Sequence, residues 1–358
     1  LALLLCEGFR NGVSQLHGEV CRRMWAYIFD RSAAGISAPI GSITNAVHRP
    51  YWQKPLLRRL IEAEGGLEKV REIDDEKIWL LHLEFKRKFI EKTRDRIAYQ
   101  LLREKNDPQA IHDKTHEMLE IDSFMLGFAR RFADYKRATL ILDDEEKLFS
   151  FFESSFRKYR RPVILLFAGK PHPNHYSGFD RVRQIFQVSR RLKERAAQRG
   201  FRGRIVFIEN YDIDLARYLE AGVDVWLNNP IRPYEASGTS GMKAGMNGVL
   251  NVSISDGWVP EGIVHGKNGW IFGKGEASSA DHDREELFHL LENTVLPLYF
   301  DREDEVESPL SLSGPPFSRG WVKMMKEAIY FITRQFNTDR MLTEYIEKMY
   351  LPAARSHS

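Results

Sequence analysis

The chain has 358 residues, 43% hydrophobic and 29% charged, with a formal net charge of +3. These values are typical of a globular protein of about two domains and exclude disordered, collagen-like and coiled-coil chains. The near balance of charge argues against nucleic-acid binding through bulk positive charge. With only two cysteines, Cys6 and Cys21, we expect no disulfide scaffold and a reducing, cytoplasmic location. No apolar run reaches the roughly 20 residues of a membrane helix.

The first third of the chain is predicted to be mostly helical. Apolar residues recur every three or four positions up to about Asp30, and again through residues 54–120. Between them, Ser32 to Trp52 is rich in Gly, Ser and Pro, which predicts a loop that crosses between structural units. Because the chain opens inside a helix-like pattern and without Met, we expect it to be part of a longer protein.

From Ile121 onward, short apolar runs alternate with helical segments. This alternation predicts a parallel sheet with helices on both faces. Ligands of such sheets bind at the carboxyl ends of the strands, so we expect the chemistry there. The predicted strands are 123–129, 163–168, 205–208, 223–227 and 249–254.

Helices complete this part of the chain. One helix follows the second strand and ends at Gly200, and two amphipathic helices, 320–334 and 338–350, follow a surface loop at 301–317. The first of these helices is predicted to turn its larger apolar residues to the core, namely Phe179, Val182, Ile185, Phe186 and Leu192.

The most distinctive segment is EASGTSGMKAGMNG, residues 235–248. Gly238 and Gly241 allow close approach of a ligand, and a helix beginning at about Ser240 offers an anion site at its N-terminus. Lys243 is predicted in the first turn, where the helix dipole favours the neutral amine that can form a Schiff base with an aldehyde. The sequence around this lysine is not that of a Walker A loop. From spacing alone, a flexible turn with an ordinary exposed lysine is an equally good interpretation.

A second candidate segment leaves the first strand at its carboxyl end. Interleaved with aromatic residues, its cations could bind phosphate through bidentate guanidinium contacts. The alternative is a solvated basic helix start paired with Asp134, which spacing alone favours. A position on the same sheet edge as the glycine-rich segment favours the phosphate site. The four cations are Arg130, Arg131, Lys136 and Arg137.

Other polar residues are interpreted as structural. Asp212 and Asp214 could hold a divalent cation, but Asp214 as a helix N-cap is the simpler interpretation, and no metal site is predicted. His48 could be catalytic, although a lone histidine on a loop is more often merely exposed. His17 and Cys21, four residues apart, are interpreted as packing residues because two ligands do not make a zinc site.

Taken together, these segments resemble the α-glucan (glycogen, starch and maltodextrin) phosphorylases, in particular their short bacterial and archaeal type. The matching blocks occur in the family's order over nearly the whole chain. They are NGVSQLHGEV at 11–20, SITNAVHRPYW at 42–52, FARRFADYKRATL at 128–140, the long block IENYDIDLARYLEAGVDVWLNNPIRPYEASGTSGMKAGMNGVLN at 208–251, and RGWVKMMKEAI followed by EYIEKMYLPA near the end.

The resemblance implies a GT-B fold, of which this chain would hold the C-terminal, Rossmann-like domain. Residues 1–44 would then be a remnant of the N-terminal domain and the interdomain crossover. Residues 45–318 would be the domain that binds cofactor and phosphate, and residues 319–358 the helices that cross back to the N-terminal domain.

The resemblance also implies a reaction and a cofactor. The reaction is reversible phosphorolysis with retention, in which a terminal α-1,4-linked glucose and orthophosphate give glucose 1-phosphate and a shortened glucan. The cofactor is pyridoxal 5'-phosphate, held as a Schiff base by Lys243, whose phosphate contacts the substrate phosphate and helps to move a proton. A homo-oligomer is left open, and no nucleic acid or membrane is expected as a partner.

Site residues follow from the resemblance position by position. Lys243, Arg131 and Lys136 would be the catalytic residues, the last two holding the substrate phosphate. Arg130 and Thr239 would contact the cofactor phosphate, the backbone of Ser240 would lie near both phosphates, and Tyr211 would lie against the cofactor ring. The glucosyl unit would be hydrogen-bonded by Asn45, Glu235, Ser237 and Gly238.

The chain departs from the family pattern in three respects. Ala46 replaces the glycine of the family's Thr-Asn-Gly, and Asp212 stands where better-known members have a basic residue near the cofactor. Residues 1–40 offer no candidate for the family's Gly-rich loop over the cofactor phosphate or for its histidine at the glucose. Two alternatives therefore stay open: a nucleotide-sugar-dependent glycosyltransferase of the same fold, and a non-catalytic truncated module that binds glucan or a partner.

Overall fold

A six-stranded, all-parallel sheet forms the centre of the molecule, in the spatial order β5-β4-β3-β6-β7-β8. The computed structural model describes residues 8–29, 38–103, 107–174, 176–275, 278–301 and 317–356. The sheet strands are β3 (Phe124–Ala129), β4 (Val163–Ala168), β5 (Gly203–Ile208), β6 (Val225–Asn228), β7 (Leu250–Ile254) and β8 (Gly269–Phe272). Two shorter strands, β1 (Asn11–Gly12) and β2 (Gly41–Ser42), pair in parallel outside this sheet.

Helices surround the sheet. They are α1 (Gln15–Phe29), α2 (Arg49–Trp52), α3 (Pro55–Ala63), α4 (Asp75–Arg103), α5 (Pro108–Met118), α6 (Glu145–Tyr159), α7 (Tyr176–Arg199), α8 (Ile213–Gly222), α9 (Ser240–Gly245), α10 (Val259–Gly262), α11 (Ala280–Leu290), α12 (Leu296–Phe300), α13 (Arg319–Gln335), α14 (Thr338–Tyr345) and α15 (Leu351–Ser356). Short 3₁₀ segments occupy Leu67–Glu72, Asp134–Lys136 and Leu140–Leu142, and π-helical turns occupy Leu291–Val295 and Ile346–Tyr350. None of the helices in the described ranges combines the length and the apolar character needed to cross a bilayer.

Both faces of the sheet are buried, as the continuous apolar runs of β3 and β4 predict. Successive residues of a strand point to opposite faces, and in β3 Met125 and Leu126 belong to two different hydrophobic clusters. The second half of α4, from Phe89 onward, and α8 pack on the Met125 face, whereas α6 and α7 pack on the Leu126 face. The predicted parallel sheet with helices on both faces is therefore confirmed.

The strand order fixes where a ligand can bind. The chain builds β3, β4 and β5 outward to one side, then returns to place β6 against the other side of β3. At this reversal the loops after β3 and β6 diverge and leave a crevice at the carboxyl ends of the two strands. Arg130 follows β3 directly, and the segment from Asn229 onward follows β6.

Two local predictions are wrong, and one strand was not predicted. Phe179 and Phe186 are 47% and 43% exposed, because the buried stripe of α7 runs through Ile185, Val188 and Leu192 instead. The strand Gly269–Phe272 is missed, since a four-residue apolar run carries little periodic signal. The 301–317 loop falls almost wholly outside the described residues.

The second wrong prediction is the N-cap of α8, which is Asp212 rather than Asp214. Asp212 has an extended backbone, and its carboxylate accepts the N–H of Leu215 at 2.8 Å. Asp214 lies in the first helical turn and forms an ion pair with Lys92 at 2.8 Å. Capping and ion pairing therefore account for both aspartates without a metal ion.

Candidate active site

The cations that follow β3 converge on one carboxylate from the loop after β6. Lys136 Nζ lies 2.7 Å from Glu235 Oε2, and an Arg130 guanidinium nitrogen lies 3.4 Å from the same oxygen. All three side chains are largely buried, with between 8% and 15% of each exposed. The prediction that the two segments share one sheet edge is confirmed, whereas Asp134 begins a short 3₁₀ helix and forms no ion pair among the described residues.

Burial shapes the charge of this cluster. It lowers the pKa of the Arg130 guanidinium, an effect that Glu235 opposes. It also lowers the pKa of the Lys136 amine, with the nearby Arg130 charge acting in the same direction and Glu235 against it. Two cations thus share a single carboxylate in a partly dehydrated crevice, an arrangement suited to binding an anion.

Arg131 and Arg137, the other two cations of this segment, differ in their surroundings. Arg131 is exposed, and among the described residues its guanidinium makes no hydrogen bond or ion pair, although its backbone carbonyl accepts the N–H of Ala133 at 3.0 Å. Arg137 is in the left-handed region at φ 45° and donates to the carbonyl oxygens of Asn229 and Pro230 at 2.8 and 2.9 Å. It also pairs with Asp283 at 2.7 Å, so it fastens the loop after β3 to the loop after β6.

The glycine-rich segment turns sharply before α9. Gly238 has φ +77°, a conformation that favours glycine, and the buried Ser237 before it leaves its hydroxyl without a partner among the described residues. Thr239 precedes α9 without a side-chain cap, and Ser240 Oγ accepts the indole N–H of Trp226 at 3.2 Å. A buried hydroxyl left free beside a turn is available to a ligand.

Asp256, which was not predicted as a site residue, anchors the start of this segment. Its carboxylate accepts the backbone N–H of Glu235 at 2.9 Å and that of Gly257 at 2.8 Å. Burial raises the pKa of Asp256 to about 6, and the two N–H donors act in the opposite direction. The Glu235 backbone is therefore held in place independently of the cations that its side chain binds.

Lys243 lies on α9 with its Nζ 3.6 Å from the centre of the Trp52 ring. The same nitrogen is 3.6 Å from Glu220 Oε1, and 17% of the lysine side chain is exposed. Trp52 and Glu220 were not predicted as site residues. The interpretation of Lys243 as an ordinary exposed lysine is wrong, because its amine is enclosed between an aromatic face and a carboxyl group.

Two buried asparagines connect the two candidate segments. Arg130 donates to Asn228 Oδ1, Asn228 donates to Asn251 Oδ1 at 3.2 Å, and Asn251 donates to the carbonyl oxygen of Gly241 at 3.0 Å. A Cβ on Gly241 would come within 2.4 Å of Asn251 Oδ1, so this contact requires glycine. The only signal in the sequence is an amide within otherwise apolar strands.

The two remaining candidates lie at the rim. Tyr211 follows β5, packs partly buried against the hydrophobic cluster on the Met125 face, and burial raises the pKa of its phenol. Asn45 donates its backbone N–H to the carbonyl oxygen of Val13 at 2.9 Å, and the neighbouring Ser14 hydroxyl donates to the Ala236 carbonyl at 2.7 Å. These contacts bring the Asn45 segment beside the glycine-rich turn.

Residues that were interpreted as structural also have defined surroundings. His48 is exposed and begins α2 without capping it through its side chain. His17 accepts the N–H of Val13 at 3.0 Å and lies 3.3 Å from Cys21 Sγ. Local contacts thus explain His17 and Cys21.

Comparison with known proteins gives a consistent result. The family model for carbohydrate phosphorylases matches residues 1–292. The chain is 41% identical to a glycogen phosphorylase of Aquifex aeolicus over 95% of its length, and 39% identical to a maltodextrin phosphorylase of Thermococcus litoralis over 97%. A glycogen phosphorylase of Mycobacterium bovis is 34% identical over 97%. The chain spans 47%, 40% and 39% of these relatives, respectively.

Proposed function

Because the chain belongs to the carbohydrate phosphorylase family, we propose that it is the C-terminal, cofactor-binding part of an α-1,4-glucan phosphorylase. The whole protein would transfer a terminal glucosyl unit of glycogen or a maltodextrin to orthophosphate, giving glucose 1-phosphate, and would thus be a glycosyltransferase. Residues 1–44, 45–318 and 319–358 would be its crossover segment, its cofactor-binding domain and its returning helices. A cytoplasmic location and the option of a homo-oligomer belong to the same proposal.

One observation carries the proposal: the segment that bears the enclosed lysine amine leaves the sheet at the same edge as a pair of largely buried cations. The amine of Lys243 faces Trp52, while Arg130 and Lys136 converge on Glu235. A reaction in which cofactor and substrate both carry phosphate requires concentrated positive charge and the exclusion of water. A site for a neutral ligand would not need these buried cations.

The residues present fit pyridoxal 5'-phosphate. Lys243 would hold its aldehyde carbon, Tyr211 would lie against its ring, and Arg130 and Thr239, with the Ser240 backbone, would hold its phosphate. In support of this fit, Arg130 is buried and its Nε has no partner among the described residues, so a donor is left for an anion. When bound, the cofactor would supply a phosphate group that assists proton movement to the substrate phosphate.

The remaining candidates would bind substrate. Lys136 and Arg131 would hold orthophosphate. The Lys136 amine lies in the cluster around Glu235, and the exposed Arg131 guanidinium is free for a ligand. The glucosyl hydroxyls would be bound by Asn45, Glu235, Ser237 and Gly238. The Ser237 hydroxyl supports this assignment, because it is buried and unpartnered within the described part of the chain.

Ligand-dependent melting tests this proposal against its alternatives. We expect orthophosphate and pyridoxal phosphate each to raise the Tm of the chain, because a ligand that binds only the folded state stabilises it. A rise with UDP- or ADP-glucose and none with pyridoxal phosphate would instead indicate a nucleotide-sugar-dependent glycosyltransferase. Stabilisation by maltodextrin alone would indicate a non-catalytic module.

A further inference from the structure

Glu220 is a buried acid that none of the roles proposed above uses. It lies near the end of α8, and its side chain is only 2% exposed. One carboxyl oxygen is 3.6 Å from Lys243 Nζ, and the other has no hydrogen-bond partner among the described residues. An ionised carboxyl group is costly to bury unless a positive charge lies close to it.

The charged and titratable groups around Glu220 come from three elements. Lys243 faces it from α9, Lys54 from the turn before α3, and the Tyr211 phenol from the loop after β5. Burial raises the pKa of Glu220 to about 8, while Lys243 and Lys54 act to lower it. Burial and the like charges of Arg217 and Lys88 lower the pKa of Lys54 to about 8 as well, against the attraction of Asp214 and Glu220. The Lys54 ammonium lies 4.2 Å from the Tyr218 ring, whereas Lys243 makes the direct contact with the carboxyl group.

The position of the lysine amine depends on its two contacts. The Trp52 face attracts an ammonium group but fixes no single direction along the ring. Glu220 adds a second contact from the side of α8, which is held by its own N-cap and by packing on α4. Together they restrict the amine to one place at the sheet edge.

We propose that Glu220 is the positioning residue and counter-ion of Lys243. When ionised, its carboxylate holds the amine at the Trp52 face and balances the positive charge of the lysine nitrogen. This inference deepens the proposed function, because it rests on Lys243 being the residue that holds pyridoxal phosphate. It concerns the charge of the lysine, which can be measured with no cofactor present.

The test measures how the reactivity of Lys243 depends on pH. Brief pulses of acetic anhydride label neutral amines, and mass spectrometry of the peptide containing Lys243 gives the labelling rate at each pH. Glu220→Gln keeps the shape of the side chain and removes the charge that favours the ammonium form. We expect the pH of half-maximal labelling to fall by about 1 unit, the lower end of the effect of an opposite charge at this distance.

Two further variants make the result specific. Glu220→Asp keeps the charge one methylene farther away, so we expect a smaller fall than in Glu220→Gln; this variant also carries the test if Glu220→Gln does not fold. Asp214→Asn, on the same helix but paired with Lys92, should leave the labelling of Lys243 unchanged. An unchanged or raised midpoint in the folded Glu220 variants would overturn the proposal.

The assignment of pyridoxal phosphate to Lys243 can fail or hold independently of the pairing of Glu220 with Lys243. In one outcome Lys243 is labelled with the predicted pH shift but takes no pyridoxal phosphate after borohydride reduction. That result would refute the proposed function and retain the pairing of Glu220 with Lys243. The reverse result, with cofactor on Lys243 and no pH shift, would refute only the role of Glu220.

Discussion

Lys243 Nζ lies 3.6 Å from the centre of the Trp52 ring, although these residues belong to segments far apart in the chain. Two buried amides link the two segments: Gln53 donates to the carbonyl oxygen of Met246 at 2.8 Å, and Asn247 makes three contacts. Asn247 donates to the carbonyl oxygens of Trp52 and Lys243 at 2.9 and 2.8 Å and accepts the N–H of Lys54 at 2.7 Å. The crossover segment and the glycine-rich segment are therefore joined directly below the enclosed amine.

Removing the Asn247 amide should separate Trp52 from Lys243. Asn247→Ala removes the side-chain partner of three partly buried backbone groups, and we expect a loss of about 2 kcal/mol in the free energy of unfolding. We also expect less pyridoxal phosphate on Lys243 at equal protein concentration. Asn293→Ala is the matched control, because Asn293 is exposed and bonds only within its own helical turn. Equal effects of the two variants on labelling would contradict this role.

The carboxylate of Glu235 should compete with phosphate for Arg130 and Lys136. Glu235→Gln leaves two largely buried cations uncompensated, so we expect the free energy of unfolding to fall by about 3 kcal/mol in chemical denaturation. Orthophosphate should then raise the Tm of this variant more than that of the wild type.

The control for Glu235→Gln is Glu91→Gln, which breaks an exposed ion pair with Arg87. This variant should lower the free energy of unfolding by less than about 1 kcal/mol. If orthophosphate stabilised Glu235→Gln no more than the wild type, the two cations would not form a phosphate site.

Gly257 should be essential to the shape of the glycine-rich turn. It has φ +57°, and a Cβ there would come within 2.2 Å of the Ser237 carbonyl oxygen. Gly257→Ala should therefore displace residues 235–238 and weaken orthophosphate binding, measured by calorimetry. Gly266→Ala tests backbone strain alone, since Gly266 has φ +74° and nothing within 4 Å of its would-be Cβ. We expect Gly266→Ala to lower the free energy of unfolding by about 1–2 kcal/mol and to leave orthophosphate binding unchanged. Unchanged binding in Gly257→Ala would refute this role for the turn.

A buried ion cluster at the opposite end of β6 should govern stability in acid. Asp224 accepts hydrogen bonds from Lys86, His82 and the N–H of Met125 at 2.7, 2.8 and 2.7 Å. Burial alone would raise the pKa of Asp224, but Lys86 and His82 outweigh it and hold that pKa below its usual value. The unfolded chain therefore takes up this proton first, and the stabilisation is lost as the pH falls below about 4.

Urea denaturation between pH 3 and 7 measures this dependence. We expect Asp224→Asn to lower the free energy of unfolding by about 3–5 kcal/mol at neutral pH. Below pH 4, the free energy of unfolding of this variant should fall less steeply than that of the wild type. Asp122→Asn, which breaks an exposed pair with Arg161, should keep the wild-type slope. Parallel curves for Asp224→Asn and the wild type would contradict the account.

The sequence predicts the sheet edge well and its interior contacts poorly. Apolar runs and glycines identify β3 and β6, and parallel strands bring their carboxyl ends together, so Arg130 and the glycine-rich segment could be placed at one edge. Glu220 could not, because a single acid on an amphipathic helix is normally solvated. Its burial depends on how α8 packs between α4 and α9.

The same limit applies to the connecting amides. Asn228 and Asn251 interrupt apolar strands, which marks them as unusual but does not indicate their partners. Phe186 was predicted in the core but is exposed. Its helical spacing favoured the buried face, but it lies one residue beyond the buried Ile185 and is therefore rotated to the surface. Periodicity gives the face of an element, whereas the partners follow from tertiary packing.

The most direct test of the account is cofactor trapping on the chain itself. The protein is mixed with pyridoxal phosphate, its near-ultraviolet and visible spectrum is recorded, and the product is reduced with borohydride and mapped by mass spectrometry. We expect a label confined to Lys243 and absent in Lys243→Ala, while Lys267→Ala, at an exposed lysine, should be labelled as the wild type is. Label scattered over surface lysines, or none, would contradict the assignment of Lys243 as the cofactor residue.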